Sequence, residues 1–105
     1  MPEPVIICLH QPALELAEKV ASLCDGEVHG LQSRVNTIPE TFEKTKEHLR
    51  DLFQKGHPLV GICSSGILIR SLADVLSDKH TEPPVLAIAE DGSCVIPLLG
   101  GHHGA

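Results

Sequence analysis

Tryptophan and tyrosine are absent from this 105-residue chain, and its only Phe, Trp or Tyr rings are Phe42 and Phe53. With so few aromatics there is no platform on which nucleic-acid bases could stack. Positive charge is scarce as well. Eight Lys and Arg stand against 14 Asp and Glu, a formal charge of −6 with His neutral. That is the wrong sign for gripping a phosphate backbone, so nucleic acid is not expected as a partner. No apolar run approaches the ~20 residues that cross a bilayer. Nor does the chain open with a basic stretch followed by an apolar one, the pattern of a secretory leader. No membrane partner is expected.

Closely spaced cysteines are also missing. Cys8, Cys24, Cys63 and Cys94 include no C-x-x-C pair, the spacing that zinc and redox sites use. Cys8, Cys63 and Cys94 each sit in or beside an apolar run, so reduced, buried thiols in a cytoplasmic protein are the expectation. The P-loop and G-x-G-x-x-G patterns are absent. G-x-S-x-G is absent too, because the nearest stretch reads Gly61-Ile62-Cys63-Ser64-Ser65-Gly66.

What remains is ordinary for a soluble globular chain: 42% apolar and 21% charged residues. The mass of 11.2 kDa is that of one domain spanning 1–105. A chain this long buries ~65% of its unfolded surface and folds without staples.

Three apolar runs rich in β-branched residues stand out: Val5-Ile6-Ile7-Cys8-Leu9, Leu59-Val60-Gly61-Ile62-Cys63 and Val85-Leu86-Ala87-Ile88-Ala89. They do not alternate in polarity, so they read as strands covered on both faces of a parallel sheet. Helical spacing separates them. Pro12 suits a first turn, Ala13, Ala17, Val20, Ala21 and Cys24 share a face, and Gly26 supplies a stop. Phe42, Leu49, Leu52 and Phe53 mark a second helix ending near Gly56. Thr37 and Glu40 fit a capping box at its start, with Thr41 as a competing cap. Ile69, Leu72, Ala73 and Leu76 mark a third helix beginning near Gly66, and a short strand is expected around Glu27 to His29. Asp91-Gly92 between apolar runs signals a hairpin into Cys94-Val95-Ile96, which makes the last strand antiparallel. The expected fold is three-layer α/β: a mostly parallel sheet of four or five strands, helices on both faces, one antiparallel strand.

In such sheets ligands bind beyond the carboxyl ends of the strands. Three loops qualify: His10-Gln11, Ser64-Ser65-Gly66 and Glu90-Asp91. Ser64-Ser65-Gly66 opens into a helix whose N–H groups and dipole suit a carboxylate or phosphate, although the local sequence alone favours an ordinary Ser cap. Arg70, placed in the first turn of that helix, could meet an anion through both arms of its guanidinium. Ser65, His102 and Asp91 can be drawn as a Ser-His-Asp set, but no strained nucleophile turn supports it. His102 and His103 are neighbours and so point apart, which argues against one shared metal. His10, His29, His48, His57 and His80 are scattered and read as structural or surface histidines. No metal ligands are assigned.

The ordered series Gly61-Ile62-Cys63-Ser64-Ser65-Gly66-Ile67-Leu68-Ile69-Arg70, Asp78-Lys79, Glu82-Pro83-Pro84-Val85, Glu90-Asp91-Gly92 and Ile96-Pro97-Leu98-Leu99-Gly100-Gly101-His102-His103-Gly104-Ala105 resembles a known family. It is similar to the N-terminal domain of the cobalamin biosynthesis protein CbiG family, whose activity is cobalt-precorrin-5A hydrolysis. The match covers roughly 57–105, and more loosely the whole chain.

The resemblance implies work on a precorrin or cobalt-precorrin tetrapyrrole: a lactone is opened and a two-carbon fragment leaves as acetaldehyde. It implies substrate-binding roles for Ser64, Ser65, Gly66, Arg70, Glu90, Gly100, Gly101, His102 and His103, and no catalytic residue. It also implies that this domain binds no cofactor of its own, with cobalt present only inside the substrate. A similar domain occurs fused to precorrin-3B C(17)-methyltransferase, so the alternative is a non-catalytic docking domain. S-adenosylmethionine belongs only to that context. The apolar, Gly-rich ending suggests a fragment of a longer polypeptide, whose remaining domains are the other expected partners. The isolated chain is not expected to turn over substrate.

Overall fold

β1 (Val5–Cys8), β4 (Leu59–Ile62) and β5 (Val85–Ile88) are the three apolar runs, and the computed structural model pairs them side by side in parallel. The structure describes residues 2–35, 37–75 and 82–99. Between them lie α1 (Leu14–Cys24), β2 (Glu27–Leu31), β3 (Thr41–Phe42), α2 (Thr45–Gln54) and α3 (Ser65–Leu72). β6 (Val95–Leu99) closes the described chain.

The sheet has the order β3-β2-β1-β4-β5-β6, parallel throughout except for the β5–β6 pair. The expected class holds, with one difference in count. The sheet has six strands rather than four or five, because two-residue β3 is too short to leave a periodic signal.

Strand geometry divides the core in two, since successive side chains point to opposite faces. Ile6 and Cys8 face α1, where Leu14, Ala17 and Ala21 pack on them. Val5 and Ile7 face the other way, against Leu49, Leu52 and Phe53 of α2 and Leu68 and Leu72 of α3. Val5, Ile6, Ile7 and Cys8 are all essentially inaccessible, which is why β1 shows no polar alternation.

Four local readings need correction. First, α1 does not stop at Gly26. Asp25 takes the left-handed conformation (φ 55°, ψ 41°), and its N–H donates to the Ala21 carbonyl. Gly26 is needed for space: a Cβ there would lie 2.7 Å from Ile6 Cδ1 and 2.8 Å from the Pro4 carbonyl oxygen. Second, Thr37 and Glu40 do not cap α2, which begins at Thr45 after Lys44. Thr37 instead accepts a hydrogen bond from Gln11 Nε2 at 3.2 Å, and Phe42 belongs to β3. The intervening chain prefers to pair with β2, where Gly30 N–H donates to the Glu40 carbonyl. Third, Arg70 stands in the last turn of α3, not the first, because the helix is only eight residues long. Fourth, Cys94 is exposed, since it lies between a turn and an edge strand. Cys24 is exposed too, while Cys8 and Cys63 are buried as expected.

The hairpin turns as expected. Gly92 has φ 77°, which only glycine adopts freely, and its N–H donates to the Ala89 carbonyl at 2.8 Å. No helix among the described residues is long and apolar enough to cross a membrane.

Candidate functional site

The chain runs from β1 outward to β2 and β3, then returns to lay β4 on the other side of β1. The strand order therefore reverses between β1 and β4. At such a switch the loops leaving two neighbouring strands diverge and open a crevice at their carboxyl ends.

A groove of about 660 Å³ lies there. His10 follows β1, Ser64 follows β4, and Glu90, Asp91 and Ser93 follow β5. Leu9, Cys63, Ile67 and Ala89 make its apolar lining.

Two of the sequence-predicted site residues, Ser64 and Glu90, thus share one groove. Ser64 has the extended backbone of an N-cap (φ −68°, ψ 145°), but its hydroxyl caps nothing. The hydroxyl stands at the end of the helix that favours negative charge, while the Ile67 N–H is taken by the Ser64 carbonyl at 3.2 Å. Ser65 and Gly66 form the first turn of α3 and do not line the groove. Arg70 reaches back over that turn, with Nη1 3.4 Å from where a Cβ on Gly66 would lie. Side chains on a helix lean toward its amino end, so the last-turn position still brings the guanidinium to the Ser-Gly loop. Of the Ser65-His102-Asp91 set, His102 lies outside the described residues; Ser65 sits in the first helical turn of α3 without the positive φ of a strained turn, and Asp91 Oδ1 accepts a hydrogen bond from Ser93 N–H at 2.9 Å within its own turn.

Gly100, Gly101, His102 and His103 lie outside the described residues. Leu99, the last described residue, pairs with Val85, the first residue of β5. It therefore stands at the edge of the sheet opposite the groove.

His10 stands in one of the loops that the sequence placed at the ligand edge, but it was not counted among the site residues. Its Nε2 lies 3.6 Å from Glu90 Oε2. The signal was available, since His10 directly follows the first strand run, where ligand-binding loops begin. His29 and His48 were also read as unconnected, yet their rings meet at 2.8 Å.

Burial disfavours the thiolate of Cys63, the form a nucleophile needs. Burial, reinforced by the Glu90 charge, pushes its thiol up to about 11. Burial also raises Cys8. Asp91 is held below the usual carboxylate value by its hydrogen bonds with Ser93.

The profile of the family described as "Cobalamin synthesis G N-terminal" matches residues 47–105. A curated cobalt-precorrin-5A hydrolase from Priestia megaterium is 41% identical over 56 residues, which are 53% of this chain and 15% of that protein. One from Salmonella typhimurium strain LT2 is 42% identical over 55 residues, 52% of this chain and 16% of that protein. The chain therefore matches only a small part of the length of these relatives. A solved structure described as a cobalamin biosynthesis protein G homolog, from Sulfolobus solfataricus, superposes with a TM-score of 0.68 at 19% identity. It covers 98% of this chain and 30% of that one. At that identity the likeness shows a shared fold.

Proposed function

The chain belongs to the cobalamin synthesis G N-terminal family, and on that footing we propose that it forms one wall of the substrate site of an enzyme of the cobalt-precorrin-5A hydrolase type. The observation that carries this reading is the groove at the β1–β4 switch, where His10, Ser64 and Glu90 converge.

The substrate class is a cobalt-bearing tetrapyrrole rimmed with acetate and propionate groups. Cobalt enters only inside that ligand. One carboxylate of the ring would meet the Ser64 hydroxyl at the positive end of α3, with the Arg70 guanidinium over the adjoining first turn to complete its neutralisation. The apolar lining from Leu9, Ile67 and Ala89 would take up the adjoining carbon skeleton.

Opening a lactone requires a water that loses a proton as it attacks the carbonyl carbon. A neutral His10 that turns Nε2–H toward Glu90 accepts that proton at Nδ1, and the Glu90 carboxylate stabilises the imidazolium that results. Donors at the helix terminus stabilise the oxyanion of the tetrahedral intermediate. The four free cysteines fit a reducing, cytoplasmic setting for this chemistry.

The test is an absorbance titration of the chain with cobalt-precorrin-5A. A saturable shift of the tetrapyrrole bands is expected, weakened at least ~10-fold in Ser64→Ala and in His10→Gln, the order of one charge-assisted contact. Equal binding by both variants, or no saturable change with the unaltered chain, would overturn the reading.

A further inference from the structure

Away from the groove, β2 and the segment entering β3 gather a second set of polar side chains. Glu27 and His29 are two apart on a strand and so share one face. They stand level with Val5 and Ile7 of β1, on the face that α2 covers. His29 is only 9% exposed. Its Nε2 lies 2.8 Å from Glu27 Oε1, and its Nδ1 lies 2.8 Å from His48 Nε2 on α2. Glu40 is brought alongside by the bond between Gly30 N–H and its carbonyl. One donor atom from each of Glu27, His29 and Glu40 lies within 4.8 Å of the others.

For a neutral His29 the hydrogen-bond directions follow. A carboxylate only accepts, so the ring proton sits on Nε2, and Nδ1 accepts from His48 Nε2–H. Glu27 and Glu40 thus bring carboxylate oxygens within 4.8 Å of each other and of a ring nitrogen of His29, and among the described residues neither forms an ion pair with Lys or Arg. Like charges so close disfavour one another unless a cation joins them.

We propose that Glu27, His29 and Glu40 bind a divalent transition ion of the zinc type, with His48 as the positioning residue behind His29. One imidazole and two carboxylates are a nitrogen–oxygen donor set that suits zinc, whereas calcium and magnesium prefer oxygen alone. Rotation of the exposed Glu40 side chain closes the set to the ~2.0–2.2 Å bonds that zinc makes. On binding, Nε2 exchanges its proton for the metal and Nδ1 gains one, which it donates to His48 Nε2. His48 gives up its own Nε2 proton and takes one at Nδ1. The two rings change tautomer together, with no net proton released. This partner arrangement is the one that orients metal-bound imidazoles generally. The ion ties β2 to the strand beside it, and through His48 to α2. Phe42 of β3 fixes His48 further, stacked at 4.6 Å between ring centroids.

The experiment is a zinc titration of the full chain against a competing fluorescent chelator. It is done in a Cys24→Ser/Cys94→Ser background, which removes the two exposed thiols as competing zinc ligands. One equivalent is expected to bind. Glu40→Gln, an exposed side chain whose loss leaves the fold intact, should weaken binding at least tenfold. His48→Gln should weaken it ~10–100-fold, the usual effect of removing such a partner. Long-range 15N–1H correlation should show the His29 proton moving from Nε2 to Nδ1 when zinc is added. Unaltered affinity in Glu40→Gln, an unmoved His29 tautomer, or loss of binding only in His102→Ala/His103→Ala would each overturn the proposal.

Discussion

His10 Nε2 and Glu90 Oε2 face each other at 3.6 Å although their parent strands do not touch. β4 runs between β1 and β5, so the pair spans the end of β4, above Ser64. Both side chains are about half exposed, and water screens their attraction. The pair is therefore expected to matter to the groove far more than to the fold.

That gives the first prediction. His10→Gln and Glu90→Gln should each leave the unfolding free energy within ~0.5 kcal/mol, and their coupling in a double-mutant cycle should stay below ~1 kcal/mol. Urea denaturation measures both. A loss of several kcal/mol would show the pair to be structural.

Cysteine reactivity follows from burial. Cys63, pushed up to about 11, is almost wholly protonated at pH 8, and Cys8 is buried beside it in the sheet. Iodoacetamide at pH 8 should label Cys24 and Cys94 quickly, and Cys8 and Cys63 only after unfolding. Mass spectrometry of the labelled peptides reads the difference. Fast labelling of Cys63 in the folded chain would contradict its placement.

The end of α1 allows a paired test. Gly26→Ala should destabilise by ~1–3 kcal/mol, because its Cβ meets a core methyl and a carbonyl oxygen. Asp25→Gly should be neutral or stabilising by up to ~1 kcal/mol, because it relieves a left-handed residue. Thermal and urea melts of both variants decide the matter. A harmless Gly26→Ala, or a clear loss of stability in Asp25→Gly, would contradict these two placements.

Acid titration tests the hairpin. Hydrogen bonds from Ser93 favour charged Asp91 and hold it below the ordinary carboxylate value. A carboxylate depressed on folding stabilises the fold above its unfolded value and loses that contribution as pH falls through its folded value. The Asp91 midpoint, followed by carboxyl 13C shift, should therefore lie below that of a free Asp. Ser93→Ala should move it upward.

The class of fold was legible because β1, β4 and β5 are buried on both faces and write that burial as unbroken apolar runs. Strand order was not legible. Nothing local distinguishes β1 beside β4 from β1 at an edge; that choice is made by helices packing on both faces. The groove inherits the same limit. Ser64 and Glu90 could be named from the loops they occupy, but their meeting with His10 depends on the reversal at β1. Glu27, His29, Glu40 and His48 were invisible as a set. Their proximity comes from β3, whose two residues pair with β2 where a capping box was expected.

The two outer strands, β3 and β6, also decide how this sheet meets other sheets. A free edge is a template on which a second chain can add a strand, and long flat edges invite aggregation. One side of this sheet ends in only Thr41 and Phe42, too short to template anything. The other ends in β6, where exposed Val95 and Ile96 would be an invitation were it not for Pro97. Proline has no N–H to offer an incoming strand, and the register slips between Val85 and Leu86 where the ladder passes it. Among the described residues the two flanks of the sheet thus differ, with brevity on one and a missing donor on the other. Replacing Pro97 would remove a barrier to growth of the sheet from chain to chain.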